Sequence, residues 1–199
     1  MTKPSQPSGR RERNKQDKLN RIVAAAGELF SRYGVDEVTT QQIADRADVA
    51  TGTLFLYAKN KGELLLLVQN SSYSAALAEG KSKAARARNA LNAVMSIVEP
   101  IVECNRVHVD NGRTYLREVI FGDPREPNHA HALDLTGETE REVSSVLQRR
   151  AGMDQEAADL RARTISAIMF LTLTTPLNVA SSVQDVIGQI RKQVAAVLG

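Results

Sequence analysis

The sequence has little of what several common protein classes require. It contains one cysteine, Cys104, so no internal disulfide can form. It has no tryptophan, and only 4% of its residues are aromatic, which argues against a surface that stacks unpaired bases. The polar, basic N-terminus is not followed by the apolar run that a signal peptide or a membrane span needs. We therefore expect a cytoplasmic protein with no membrane partner.

What the sequence does have is enough apolar material for a core and an uneven charge. Apolar residues make up 42% of the 199 positions. Residues 1–62 carry 11 Lys and Arg against 7 Asp and Glu, so they hold a net charge of +4, whereas the whole chain has +3. The first cationic cluster is Arg10, Arg11, Arg13, Lys15 and Lys18. Such a composition favours a basic, disordered arm over residues 1–13 that approaches an acidic partner.

The apolar residues recur with helical spacing along the rest of the chain. Leu19, Ile22, Val23, Ala26, Leu29 and Phe30 predict a helix that starts near residues 14–17 and stops at Gly34. Thr39 and Gln42 form a capping-box pattern for a short helix to Ala47, and Asn60 with Glu63 repeats it. Between them we expect a second short helix over residues 51–57. Later stripes predict helices that include a kink at Pro100 and two final helices over residues 165–177 and 183–197. The expected fold class is all-α.

Two short helices separated by the turn at Asp48 and Val49 have the arrangement that presents a helix to the DNA major groove. The segments that carry this pattern are TTQQIA at residues 39–44, VATGTLFLY at 49–57 and KNKGEL at 59–64. Together they resemble the TetR family of bacterial transcriptional regulators, over roughly a quarter of the chain. The resemblance implies a three-helix N-terminal DNA-binding domain and a C-terminal helical bundle that binds an effector and dimerises. We place these domains at residues 14–62 and 63–199.

The residue types at these positions suit contacts with a duplex. Free amides at a helix N-terminus favour a phosphate, and threonine at the start of a recognition helix can hydrogen-bond base edges. Tyr57 and Lys61 resemble the family's backbone contacts, and Arg10, Arg11 and Arg13 suit a narrow minor groove. The predicted DNA-binding residues are Thr40, Gln41, Thr51, Gly52, Thr53, Tyr57 and Lys61.

The sequence departs from the common family pattern at two of these positions. Ala50 stands where a serine usually begins the recognition helix, and Phe55 stands where a tyrosine is usual. The loss of the serine removes a cap worth about 0.5–2 kcal/mol. Thr51 is the alternative cap, and in that role it would leave Thr53 as the better candidate for reading bases.

The C-terminal domain offers apolar side chains for an effector cavity between its helices. Methionine and aromatic side chains adapt to irregular apolar ligands, although the same residues also serve as ordinary core. The candidates are Met95, Leu116, Phe121, Ile168, Met169 and Phe170. The resulting hypothesis is a homodimer, joined by its last two helices, that is released from a palindromic operator by a small apolar or amphipathic effector. It requires neither a cofactor nor a catalytic residue.

Two other functions remain open from the residues alone. Cys104 and His108 lie one helical turn apart beside Glu103, which suits a metal sensor or a thiol enzyme, although no third ligand follows at a defined offset. A buried thiol and a surface histidine explain the same residues. His129 and His131, close to Pro127, are expected in a loop. The remaining alternative is a helical module whose N-terminal domain contacts protein rather than DNA.

Overall fold

The computed structural model describes residues 9–199, and in that range the secondary structure is entirely helical. The helices are α1 (Gly9–Tyr33), α2 (Thr40–Arg46), α3 (Thr51–Leu54), α4 (Lys61–Ala84), α5 (Ala90–Asn105), α6 (Val109–Phe121), α7 (Pro127–Ala151), α8 (Gln155–Thr174) and α9 (Val183–Leu198), with a 3-10 turn at Pro176–Asn178. The all-α prediction is confirmed. We call α1–α3 the head and α4–α9 the body.

The first helix is longer than the apolar periodicity predicts. It begins at Gly9, so residues 9–13, expected in a disordered arm, are helical, while residues 1–8 of that arm lie outside the described residues. The intervening side chains are mostly good helix formers, Glu12 lies in the first turn, and Gln16 donates a hydrogen bond to Asn20 at 2.9 Å. Because these residues bury no apolar face, periodicity alone could not detect this part of the helix.

The two short helices of the head are set by their caps and by the turn between them. Thr39 and Gln42 form the predicted capping box of α2. Asp48 adopts a left-handed backbone with φ of 51°, a conformation that Asp tolerates better than most residues, and Arg21 donates to its carbonyl and carboxylate oxygens at 3.1 Å. The second short helix ends at Leu54 rather than at Tyr57, and residues 55–57 form a turn.

The head packs on the body through one continuous core. Ile22, Phe30, Ile43 and Leu54 are buried between α1, α2 and α3. The apolar face of α1 also packs against α4, whose first turn is capped by Asn60 accepting from the Glu63 amide at 2.8 Å. Because α4 is shared in this way, the head is mounted on a 24-residue helix that also runs through the body.

Helices α4, α5 and α7 form the centre of the body, and α6, α8 and α9 pack around them. Helix α5 continues through Pro100. Helix α8 begins at Gln155, ten residues before the apolar run at residue 165, because apolar residues occupy only one face of its first half. Helix α7 begins at Pro127, a favoured position for proline. His129 and His131 therefore lie in a helix and not in the expected loop, and His129 is buried with its Nε2 3.0 Å from the Val119 carbonyl.

Among the helices of residues 9–199, none combines the length and the apolar character needed to cross a bilayer.

Candidate DNA interface and body groove

The start of the recognition helix α3 is tied to the start of α2 by side chains. The Thr51 hydroxyl donates to Gln41 Oε1 at 2.7 Å, and Gln41 Nε2 donates to Asp45 at 2.7 Å. Ala50 is the N-cap of α3 and provides no side-chain cap bond. Thr51 is therefore not the replacement cap that the sequence suggested, because its hydroxyl is engaged by Gln41 instead.

The next two residues of α3 are accessible from outside. A Cβ placed on Gly52 would meet no atom within 4 Å, so neither packing nor backbone conformation requires glycine there. A helix nevertheless loses about 1 kcal/mol when it carries glycine in place of alanine. Thr53 is half-buried, and its side chain makes no hydrogen bond within the described residues. The pair offers a close approach and a free hydroxyl to an external surface.

The residues that follow split between the core and the surface. Leu54 is fully buried, whereas Phe55 and Leu56 are 46% and 82% exposed. These exposed Phe and Leu side chains lie in the turn that follows α3 and form an apolar edge, which suits contact with thymine methyl groups. The helix is therefore held by Leu54 while its other face is left without a partner.

Tyr57 and Lys61 make contacts inside the head. The Tyr57 hydroxyl donates to the Lys15 carbonyl of α1 at 3.1 Å. The Lys61 ammonium donates to the carbonyls of Val35 and Asp36 at 2.9 and 3.0 Å, and so braces the turn after α1. An ammonium has three donors, which leaves one N–H of Lys61 for an anion. Their role as phosphate contacts stays a prediction.

The first turns of α1 carry a cationic surface. Arg10, Arg11, Arg13, Lys15 and Lys18 are all exposed, and the bond from Tyr57 to Lys15 fixes this end of α1 beside the turn that follows α3. Residues 9–13, expected to be disordered, are therefore a helical extension that ends beside the turn after α3, and the contact of Arg10, Arg11 and Arg13 with the minor groove stays a prediction.

The body contains an open groove between α6, α7 and α8. Its volume is about 570 Å³, and its lining is mainly apolar with Glu140 and Arg163 near one end. The apolar lining includes Val119, Ile120, Leu133, Ala167, Phe170 and Leu171. A smaller polar recess lined by Arg141 and Asp159 shares Glu140 and Arg163 with this groove. The combined shape suits a molecule with an apolar part and a polar end.

Comparison with known proteins agrees with the helix order and with the head. A model of the family described as "Bacterial regulatory proteins, tetR family" matches residues 22–68, from the buried face of α1 to the first turns of α4. Over these residues the chain is similar to the DNA-binding region of TetR-family regulators.

The relatives extend the likeness over most of the chain. The HTH-type transcriptional repressor KstR of Rhodococcus jostii is 27% identical over 187 residues, which are 92% of this chain and 84% of that protein. FadR of Thermus thermophilus, a TetR family transcriptional repressor in complex with lauroyl-CoA, superposes with a TM-score of 0.70 at 22% identity, covering 90% of this chain and 93% of its own. FadR of Bacillus subtilis, in complex with stearoyl-CoA, has a TM-score of 0.65 at 16% identity, covering 90% and 97%.

The predicted effector residues fit this TetR fold only in part. Phe170 lines the groove, and Ile168 is half-buried against the core. Met95, Leu116 and Met169 are buried core residues, and Phe121 is 81% exposed. Among the six, the groove lining therefore includes Phe170 alone, and an effector role for the other five stays a prediction.

The alternative centred on Cys104 and His108 finds no support in the geometry. Burial raises the pKa of the Cys104 thiol to about 11, which disfavours the nucleophilic thiolate at neutral pH. His108 caps α6, because its Nδ1 accepts a hydrogen bond from the backbone N–H of Asn111 at 3.4 Å. Within residues 9–199, no three His, Cys, Asp or Glu side chains come together as a metal site would need.

Sequence reasoning missed two polar residues that join the head to the body. Asn111 lies in the first turn of α6 and Asn128 in the first turn of α7, and each hydrogen-bonds backbone groups of the head. For Asn111 a signal existed: it shares a face with Tyr115 and Val119, at spacings of four, so it is a polar residue on a buried stripe. Asn128 gave no such signal.

Proposed function

We propose that this protein is a homodimeric TetR-family repressor that binds a palindromic operator through α2 and α3 and leaves it when an amphipathic effector enters the body groove. The observation that carries the DNA-binding part is Gly52. It stands in a four-residue helix with open space around its Cβ position, and beside it Thr53 carries a hydroxyl without a hydrogen-bond partner among the described residues, so this end of α3 is open to close approach by a duplex. Such a regulator acts in the cytoplasm, where the chromosome is.

Base recognition is assigned to the free end of α3. Thr53 has an unengaged hydroxyl, and Phe55 and Leu56 present exposed apolar surface. Thr51 contributes through its bond to Gln41, so these two side chains act as one unit. The predicted readers are therefore Thr53 by hydrogen bonding and Gly52 by close approach.

Phosphate binding is assigned to the residues around this helix. Thr40 and Gln41 lie in the first turn of α2, where free amides and the helix dipole favour an anion. After α3, Lys61 keeps one N–H for a phosphate, whereas Tyr57 can donate to a phosphate only by giving up its bond to the Lys15 carbonyl. The cationic start of α1 extends the positive surface. These contacts position the head on the duplex without reading its sequence.

Dimerisation is assigned to α8 and α9. The outward face of α8 carries Leu160 and Leu171, which are 62% and 71% exposed, with Thr164 and Ala167 between them. Their spacings of four, three and four residues place them on one stripe. Ala167 and Leu171 also line the body groove, so a second copy on this face would cover the open side of the groove next to α8. A second copy on this stripe would form a four-helix interface, and its two-fold symmetry would set the recognition helices about 34–36 Å apart.

The effector is assigned to the class of long-chain acyl compounds. The groove between α6, α7 and α8 is elongated by its polar recess and combines an apolar wall with arginine side chains at one end. Two similar structures are complexes with lauroyl-CoA and stearoyl-CoA, which supports an acyl chain in the apolar part. An effector acts by binding one arrangement of the dimer better than the other.

Selection of bound duplexes from a random pool tests the DNA-binding part. We expect an enriched inverted repeat, and a wild-type protein that enriches nothing would refute the proposal. With the selected duplex, Thr53→Ala should change the preference among half-sites, whereas Lys61→Ala should weaken binding to all sequences and reduce the salt dependence by about one ion. Lys83→Ala, on the distant end of α4, is the matched control and should leave both unchanged.

Titration of lauroyl-CoA into the protein–duplex complex tests the effector. We expect release of the duplex, with free coenzyme A as the control that lacks the acyl chain. Phe170→Ala, which removes part of the apolar wall, should weaken lauroyl-CoA binding and leave binding of the duplex intact. Equal effects of lauroyl-CoA and coenzyme A would exclude the acyl chain as the recognised group.

A further inference from the structure

The body holds the end of α1 through one buried amide. Asn111, only 3% exposed, donates from Nδ2 to the Phe30 carbonyl at 2.7 Å and accepts at Oδ1 from the Val35 amide at 2.7 Å. Gly34, between these two groups, has φ of 82° and packs against the His108 imidazole. The C-terminus of α1 is thus gripped by the first turn of α6.

A side-chain amide suits both of these bonds, because it carries its donor and its acceptor on separate atoms. An aspartate lacks the donor, and a leucine lacks both groups. Removing one partner leaves a buried backbone group unsatisfied, which is costly. The two short distances also make the joint sensitive to displacement, because a hydrogen bond weakens steeply once its distance or angle departs from the optimum.

A second amide holds the segment that follows the recognition helix. The Asn128 side chain donates from Nδ2 to the Tyr57 carbonyl at 3.1 Å, and the Asn128 backbone carbonyl accepts from Asn70 Nδ2 at 2.8 Å. Tyr57 lies three residues after the end of α3. Nearby, Lys59 forms an ion pair with Glu126. The first turn of α7 is thus bonded to the backbone beside α3.

Both amides sit on helices that line the body groove. In α6, Asn111 is nine residues from Ile120 of the groove wall, about 14 Å along the helix axis. In α7, Asn128 is five residues from Leu133 of the opposite wall. A shift of either helix as a rigid rod therefore displaces an asparagine that is bonded to the head.

From this arrangement we infer that Asn111 and Asn128 are positioning residues that transmit effector binding from the groove to the head. The inference rests on the proposed function, since it assumes that groove occupancy and DNA binding are coupled. Apolar contacts between α1 and α4 tolerate small sliding movements, whereas the amide bonds do not. A small movement of α6 or α7 thus acts through these two side-chain amides to change the orientation of α1 and α3.

The variants that test this inference are Asn111→Ala and Asn128→Ala, with Asn178→Ala as the matched control. Asn178 is also buried and also makes two side-chain bonds, from Nδ2 to the Thr172 carbonyl at 2.9 Å and to Gln189 Oε1 at 3.0 Å. Both of its partners lie in the body. Any general effect of losing a buried amide should therefore appear in all three variants.

The measurement is the ratio of operator dissociation constants with and without saturating lauroyl-CoA, with lauroyl-CoA binding measured separately by calorimetry. For wild type we expect a ratio of about 5–150. Asn111→Ala and Asn128→Ala should lower this ratio at least threefold while lauroyl-CoA affinity is kept, and Asn178→Ala should retain the wild-type ratio. Ratios that are equal in all four proteins would overturn the inference.

Failure of the effector assignment is recognised separately, because wild type would then not bind lauroyl-CoA in the calorimeter. In that case, the inference is tested by amide hydrogen exchange, measured with the selected duplex as the only ligand. Duplex binding should slow exchange in the first turns of α6 in wild type and Asn178→Ala but not in Asn111→Ala. The same response in Asn111→Ala, or a wild type that binds no duplex, overturns the inference.

Discussion

Gly52 in the head and Gly112 in the body are both glycines near the start of a helix, but they face opposite environments. A Cβ on Gly52 would meet open space, whereas a Cβ on Gly112 would come within 2.0 Å of the Asn105 carbonyl oxygen. The body uses a missing side chain to bring α5 and α6 together. The head uses one to leave its surface open. We therefore expect a substitution at Gly112 to change the stability of the protein and a substitution at Gly52 to change its binding to DNA.

The largest effect should come from Gly112→Ala. The added methyl group would force the start of α6 away from the Asn105 backbone, and overpacking of this kind costs about 3 kcal/mol. Urea denaturation followed by circular dichroism measures the loss. Gly137→Ala is the control, because there the nearest atom is the flexible end of Arg141 at 3.1 Å, and it should be neutral or stabilising. A loss of less than about 0.5 kcal/mol for Gly112→Ala would mean that the α5–α6 contact relaxes freely.

Gly52→Ala should do the reverse and affect binding without loss of stability. Alanine favours the helix by up to about 1 kcal/mol, but its methyl group would stand between α3 and the duplex. We expect about tenfold weaker binding of the selected operator, which corresponds to about 1.4 kcal/mol. Fluorescence anisotropy gives the dissociation constant, and thermal unfolding gives the stability. Unchanged affinity would show that the space around Gly52 is not used by DNA.

A smaller effect is expected at Glu63, which lies at the boundary between head and body. Burial raises the pKa of its carboxyl, and a hydrogen bond from Asn128 opposes that rise only in part. A raised carboxyl pKa means that the folded state binds the proton more tightly, so this contribution to stability is present at low pH and is lost as pH rises through the raised pKa. Glu63→Gln should therefore be relatively more stable than wild type at pH 7 than at pH 4. Denaturation at several pH values measures this, and parallel profiles would contradict it.

The smallest effect on function should be that of Cys104→Ala. The thiol is half-buried, and its pKa of about 11 keeps it protonated at neutral pH. We expect operator affinity to change less than twofold. Iodoacetamide should also react about 100-fold more slowly with the native protein at pH 8 than with the unfolded chain, since the thiolate fraction is correspondingly lower. Rapid native labelling with loss of binding would revive a thiol-based function.

The sequence predicted the head better than the body, and for a physical reason. The caps of α2 and α4 are local patterns in which Thr39 and Asn60 bond amides three residues away, so the residues alone predict them. The groove and the asparagine joints depend on contacts between residues far apart, such as the bonds of Asn111 to Phe30 and Val35. Periodicity shows that a helix face is buried, but it does not show which neighbour lies against it.

The bond between Thr51 and Gln41 has a consequence for how operator preference can evolve. Because one side chain holds the other, a substitution at either position also alters its partner, and viable changes at these two sites should occur as pairs. Thr53 has no such tie and can vary alone. Among related regulators, divergence in DNA sequence preference should then proceed by independent single steps at residue 53 and by epistatic double steps at residues 41 and 51.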